Sequence, residues 1–434
     1  MVQNHLPSRI HILAKPTGAI CNLSCSYCFF LDKKLLYPGS SFHMSYEVLE
    51  SYIQQLVKAH SSLQVTVAWQ GGEPTLMGID FYRRAIGLQE RYRKPGMTFE
   101  NTIQTNGTLL NDEWCRFFKE NNFLIGISID GPREFHDSYR VDKNGKGTFD
   151  RVMCGLRLLQ KHGVEYNVLT TINRTNAEYP LEIYRFLRDE ARTSWIQFIP
   201  VVERINEEGN TLYQKGNMVS NRSVQPKQLG NFLIHVFDKW VRNDVGRIFV
   251  QTFEASTRSW LGLPSSGMCV FEETCGLGLA LEHNGDLYSC DHFVEPEYLL
   301  GNIMKKEIIE LAASDRQYRF GQDKRDTLPQ ICRECDVLFA CRGECPKNRF
   351  LTTSAGESGM NYLCEGWKAF FHHINFPMKI ISWLICNGYL ASDVMRILKL
   401  NENLPNNGHN DSCHCSSDQK FKSLQGHRKI NRKR

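Results

Sequence analysis

Eleven of the sixteen cysteines in this chain fall into two groups. Cys21, Cys25 and Cys28 lie near the start; Cys269, Cys275, Cys290, Cys332, Cys335, Cys341, Cys345 and Cys364 lie within a later stretch. The N-terminal residues, MVQNHLPSRIHILAKPTG, lack the basic segment, apolar run and small-residue cleavage site of a signal peptide. The chain is therefore expected to stay in the cytoplasm, where clustered cysteines read as metal ligands or reactive thiols and structural disulfides are rare. The first group is spaced Cys-x3-Cys-x2-Cys on one short loop. Three thiolates there can hold three irons of a cubane and leave the fourth iron open, whereas structural zinc sites are completed by four ligands in pairs. Soft thiolates suit either metal. The eight later cysteines equal two complete four-ligand sites, and two zinc ions would fit that count as well as two closed clusters.

The rest of the composition narrows the partners. A chain of 434 residues exceeds what one hydrophobic core usually supports, so a large domain plus smaller modules is expected. No run of about 18 apolar residues occurs, which argues against a membrane span. Net charge is +5, but Lys420, Lys422, Arg428, Lys429, Arg432, Lys433 and Arg434 stand against only Glu402, Asp411 and Asp418 in the last 34 residues. That segment reads as a solvated basic tail, and the near-neutral body offers no patch for nucleic acid.

Between the cysteine groups, strand and helix patterns alternate. Residues 45–60, 148–163 and 180–190 have helical spacing; 64–69, 101–105, 123–129, 164–170 and 194–200 read as strands. Repeated βα units imply parallel strands whose C-terminal ends carry the reactive loops. At one such end, after QVTVAW, comes Gln70-Gly71-Gly72-Glu73-Pro74. Glycines there allow close backbone approach to a ligand, and Glu73 offers an acceptor for a ligand amine. A polar bridge of helical spacing covers about 201–260. Beyond it, LGLALEH, Asn284-Gly285 and DLYSCD form a hairpin signature. Cys115, Cys154 and Cys386 lie in helical or apolar segments and are expected to be core thiols, while Cys413-His414-Cys415 sits in the polar tail.

The three-cysteine motif, with Tyr27 before and Phe29 after Cys28, resembles the radical S-adenosylmethionine (SAM) superfamily, and GGEP resembles that family's GGE motif. The resemblance implies a partial (β/α)6 barrel in which a cluster on Cys21, Cys25 and Cys28 binds SAM and splits it reductively to a 5′-deoxyadenosyl radical. It further implies SAM contacts from Gly71, Gly72 and Glu73, from Thr105 in the Gln104-Thr105-Asn106-Gly107 segment, and from Ser128 and Arg140 to the SAM carboxylate. The later cysteines resemble a SPASM domain. By that likeness one auxiliary cluster takes Cys269, Cys275, Cys290 and Cys345 and another takes Cys332, Cys335, Cys341 and Cys364, giving three 4Fe-4S clusters in all. Cys345 precedes Pro346, as does the ligand that crosses between clusters in bacterial ferredoxins.

Over roughly residues 5–400 the chain most resembles anaerobic sulfatase-maturating enzymes, through AKPTGAICNLSC, WQGGEPTL, EHNGDLYSCDHFV and ECPKNRF. These convert a Cys or Ser in a sulfatase C/S-x-P-x-R segment to Cα-formylglycine. The resemblance makes Asp291 the general base, with His292 a weaker candidate, and gives Gln70 a hydrogen bond to the substrate peptide. An auxiliary cluster takes the second electron. The implied partners are an unfolded or nascent sulfatase and an electron donor such as flavodoxin or ferredoxin. Phe30 departs from the tyrosine frequent in these relatives, so it carries no catalytic hydroxyl. The expected layout is the barrel at 1–235, the bridge and SPASM domain at 236–375, a helical segment at 376–400 and a disordered tail at 401–434. A competing reading is a SPASM-type maturase that forms a thioether or carbon–carbon crosslink in a small peptide.

Overall fold

The computed structural model describes residues 10–206, 216–276 and 278–402. The basic tail from residue 403, with Cys413, His414 and Cys415, lies outside them. Six strands run β1 (His11–Lys15), β2 (Gln64–Trp69), β3 (Thr98–Thr105), β4 (Leu124–Ser128), β5 (Tyr166–Ile172) and β6 (Trp195–Pro200), each followed by helical crossover structure. They pair in parallel and in sequence order, with a short parallel β7 (Phe249–Val250) beyond β6. This is the anticipated partial (β/α)6 barrel. Its C-terminal strand ends share one rim, where parallel barrels place their chemistry.

The local causes are ordinary. β2 alternates β-branched and small residues and buries Val65, Val67, Ala68 and Trp69. Helix Tyr46–Ala59 starts where the Ser45 hydroxyl accepts from the Val48 amide (3.3 Å) and buries Val48, Leu49, Tyr52, Ile53, Leu56 and Val57 along one stripe. Cys115 is buried, as expected. Cys154 and Cys386 are exposed, contrary to expectation. Cys154 lies on the face of helix Phe149–Lys161 opposite Val152, Met153, Leu156 and Leu159, and Cys386 is the final residue of its helix.

Sequence patterning did not anticipate how the cysteine-rich part joins the barrel. β8 (Gly278–Glu282) and β9 (Asp286–Tyr288) form the Asn-Gly hairpin, with β10 (Leu299–Asn302) beside β9. β8 also pairs in parallel with β1, His11 to Gly278 through Lys15 to Glu282, so the hairpin extends the barrel sheet. The residue-235 boundary falls inside helix Pro226–Asn243, and residue 375 falls inside helix Cys364–Cys386. These two helices pack together, with Phe370 against Phe237 and Phe253. No helix among the described residues is long and apolar enough to cross a membrane.

Candidate active site

The loop after β1 carries Cys21, Cys25 and Cys28, and it is laced to two strand ends. The amides of Gln70, Gly72 and Glu73 donate to the carbonyls of Ala14 (2.8 Å), Gly18 (2.8 Å) and Ile20 (2.9 Å). A Cβ on Gly72 would stand 2.0 Å from the Ile20 carbonyl oxygen, so glycine is required there by the chain's own cysteine loop. On the other side, the amides of Ser24 and Ser26 donate to the carbonyls of Val141 (2.8 Å) and Tyr139 (3.0 Å).

Glu73 is fully buried beneath this loop. Its Oε1 accepts from the Thr75 amide (3.0 Å), the Thr75 hydroxyl (2.7 Å) and the Thr105 hydroxyl (2.8 Å), and its Oε2 from the Asn106 amide (2.7 Å). A carboxylate has about four lone-pair positions, so only Oε2 keeps one to offer an amine. Thr105 is thus the brace that orients Glu73. Asn106 reaches Cys21 Sγ (3.6 Å) and Asn22 Oδ1 (2.8 Å), fixing the first cysteine.

Opposite lie Ser128 and Arg140, both buried. Ser128 Oγ accepts from Gln104 Nε2 (2.9 Å). Arg140 Nε pairs with Asp130 Oδ2 (3.0 Å), which also accepts from the Tyr27 hydroxyl (2.5 Å). Burial raises the Cys25 thiol pKa, against the lowering pull of Arg140, up to about 12. Burial likewise pushes Cys21 up to about 11. A cation bound between such thiols would supply the charge that their desolvated thiolates lack.

The β1–β8 pairing sets Asp291, next to Cys290, against Lys15 at the end of β1. The Lys15 ammonium ion-pairs with Asp291 Oδ1 and lies 4.2 Å from the centre of the Phe30 ring. Burial works to raise the Asp291 pKa, but Lys15, then His292 and Lys347, hold it below the usual carboxylate range. His292 Nδ1 lies 3.5 Å from Cys345 Sγ, and burial drives its pKa down to about 4. Gln70 is half-buried at the end of β2.

The remaining thiols sort into two neighbourhoods, within which each opposes the ionisation of the others. The charges of Cys345 and Cys269 oppose ionisation of Cys290, and that of Cys275 opposes ionisation of Cys269 and Cys345. The charges of Cys364 and Cys335 oppose ionisation of Cys332, and those of Cys364 and Cys332 oppose ionisation of Cys341. No disulfide links the described cysteines, and among the described residues no His, Cys, Asp or Glu trio closes around a lone metal ion. Free soft thiols grouped in this way are the donor chemistry that iron–sulfur clusters take. The barrel rim suits a polar ligand: Thr17 Oγ1, Thr171 Oγ1, Asn173 Nδ2, Gln251 Oε1 and Glu282 Oε1 are buried there without hydrogen-bond partners, at or just beyond the C-terminal ends of β1, β5, β7 and β8.

Comparison with known proteins agrees with this geometry. The radical SAM superfamily model matches residues 16–187, and a model described as an iron–sulfur cluster-binding domain (SPASM) matches 273–336. A serine-type anaerobic sulfatase-maturating enzyme of Bacteroides thetaiotaomicron is 47% identical over 397 residues, covering 90% of this chain and 95% of the relative. The chain belongs to the anaerobic sulfatase-maturating enzymes. A cysteine-type member of this family from Clostridium novyi is 34% identical over 365 residues, covering 83% of this chain and 94% of that one. A solved structure, native anSMEcpe with bound AdoMet and Cp18Cys peptide, superposes with TM-score 0.77 at 30% identity, covering 87% and 99% of the two chains. The protein is thus a radical SAM, iron–sulfur oxidoreductase of the sulfatase-maturating family.

Sequence reading missed several members of this sulfatase-maturating site. Lys15 had a signal, being a charge directly after the apolar run Ile12–Ala14, as had Asp130, an acid directly after FLIGISI. Asn106 and Arg349 lay within segments the family resemblance marked, but their contacts to Cys21 and to the Arg342–Glu344 backbone were not legible there.

Proposed function

We propose that this enzyme oxidises a Cys or Ser within a C/S-x-P-x-R segment of an unfolded or nascent sulfatase to Cα-formylglycine. Three 4Fe-4S clusters are assigned: one on Cys21, Cys25 and Cys28, one on Cys269, Cys275, Cys290 and Cys345, and one on Cys332, Cys335, Cys341 and Cys364. Cys21, Cys25 and Cys28 would hold the cluster that binds SAM, and, when bound and reduced by a donor such as flavodoxin or ferredoxin, it would supply the deoxyadenosyl radical chemistry that removes a hydrogen atom from the substrate Cβ.

The observation that carries the reading is the Lys15–Asp291 pair beside Cys290. Lys15 keeps Asp291 ionised, so its carboxylate is poised to accept the thiol or hydroxyl proton of the client residue. The electron left on the substrate would be taken up by the oxidised cluster that Cys269, Cys275, Cys290 and Cys345 would hold. Cys then becomes a thioaldehyde that water hydrolyses with loss of hydrogen sulfide, and Ser becomes the aldehyde directly. Gln70 hydrogen-bonds the substrate backbone. Glu73 Oε2 and the carbonyls around Gly71 and Gly72 receive the SAM amine, with Thr105 bracing Glu73. Ser128 and the remaining donors of Arg140 face the SAM carboxylate.

The test incubates reduced, reconstituted protein and SAM anaerobically with Cys-x-Pro-x-Arg and Ser-x-Pro-x-Arg peptides. Mass spectrometry should find a loss of about 18 mass units from Cys or about 2 from Ser, the stoichiometry of oxidation to the aldehyde. The 47% identity to a serine-type relative leads us to expect turnover of the Ser peptide. Neither loss from either peptide, in protein that cleaves SAM, overturns the assignment. Cys21→Ala should abolish deoxyadenosine formation.

A further inference from the structure

The two four-thiol sets are joined by a backbone held in an uncommon conformation. Cys341 of one set and Cys345 of the other flank Arg342, Gly343 and Glu344, with φ of +49°, +71° and +54°. Two of these consecutive left-handed residues carry a Cβ, so surrounding contacts must hold them there. Arg349 supplies those contacts. Its Nε donates to the Gly343 carbonyl (2.8 Å), and its Nη2 donates to the carbonyls of Arg342 (3.0 Å) and Glu344 (3.1 Å). Its Nη1 donates to the Lys324 carbonyl (2.5 Å), and the Lys324 ammonium in turn binds the carbonyls of Cys269 (2.9 Å) and Val270 (2.8 Å). A Cβ on Gly343 would stand 2.5 Å from Arg349 Nη2, so the guanidinium lies flat against the linker.

The charge of Arg349 is placed as deliberately as its hydrogen bonds. All four bonds go to neutral carbonyls, and Glu344, its nearest counter-charge, spends its carboxylate on Asn348 (3.0 Å) and Asn361 (2.6 Å). The guanidinium senses Cys275 of one set together with Cys332 and Cys341 of the other. A positive charge beside a cluster favours its reduced, more negative form.

We propose that Arg349 is a positioning residue for electron transfer between the two auxiliary clusters: its fork fixes the linker that sets their separation, and its charge, lying on that linker, raises the potentials of both. One electron released by the oxidised substrate then moves outward from the set beside Asp291, with no bond made or broken. The inference rests on the ligand sets assigned above.

The test uses full-length protein with Cys21, Cys25 and Cys28 all changed to Ala, leaving only the auxiliary clusters. This parent should hold about eight irons, two 4Fe-4S sets; half that number overturns the ligand assignment and the inference with it. Electron paramagnetic resonance redox titration then compares the parent with R349Q and R349K. R349Q should keep its iron and lower the midpoint potentials, reducing the reduced-to-oxidised ratio at fixed potential roughly tenfold, about 59 mV for one electron. R349K keeps the charge but loses the fork, so its potentials should stay near the parent's while the magnetic coupling between the two reduced clusters changes. Parent-like titrations and coupling in both variants overturn the inference, as does loss of iron from both, which would make Arg349 a structural clamp alone. If only R349Q loses iron, unchanged coupling in R349K overturns it.

Discussion

Lys15 and Asp291 meet inside the protein although they are encoded far apart, and their pairing decides what each can do. A lysine ammonium with 2% of its side chain exposed needs an anion, and a carboxylate paired with that ammonium stays ionised. Asp291→Asn should leave iron content and deoxyadenosine production intact while cutting formylglycine yield by about 100-fold or more, the usual scale of a general base; unchanged yield would remove Asp291 from the reaction. Lys15→Met should both uncouple SAM cleavage from product and destabilise the fold by about 1–2 kcal/mol, because it leaves a half-buried carboxylate without its cation. Thermal denaturation and the ratio of deoxyadenosine to product measure the two effects. Lys15→Arg should recover part of each. The sequence made Asp291 visible through its neighbour Cys290, but nothing in the order of residues pointed to its partner.

At the scale of elements, what was legible followed from periodicity. β2 spans the residues its β-branched pattern marks, and helix Tyr46–Ala59 begins at its serine cap. β3 extends further back than NTIQT suggests, because Thr98 to Glu100 pair with Gln64 to Thr66 despite the charge on Glu100. Pairing with β2, not intrinsic preference, holds them extended. The Gln70–Glu73 turn was legible as a motif, yet its glycines serve the packing of two backbone segments as much as the approach of a ligand. Gly72→Ala should therefore displace the Cys21 loop selectively. Iron analysis is expected to fall from about twelve to about eight atoms per chain, with the auxiliary absorption retained; full iron with normal SAM cleavage would contradict the 2.0 Å contact predicted for that Cβ.

Over the whole molecule, two regions depend on different forces. One apolar core runs from Ile10 to Leu398 and takes in Phe271, Val337 and Trp367, whereas the thiol-bearing loops also depend on the metal they would bind. Removing iron with a chelator should accordingly raise hydrogen exchange across 269–364 while leaving β2 to β6 protected. Equal loss of protection in both regions would show that the clusters stabilise the whole fold. The β8–β9 hairpin, which pairs with β1, should keep intermediate protection, since its backbone is shared with the barrel sheet.

By itself the order of residues determined the chemistry available: three thiols on one loop, eight more as two sets of four, a GGE turn after a buried strand, and alternating βα patterns that close into a partial barrel. Short-range spacing and periodicity are local properties, so they survive being read in one dimension. Only the tertiary structure decided which groups share a neighbourhood. It laid the hairpin beside β1, set Lys15 on Asp291, turned Glu73 inward onto Thr105 and Asn106, and placed Arg349 between the two later thiol sets. Those meetings depend on strand pairing and helix packing between distant segments, which no local pattern encodes.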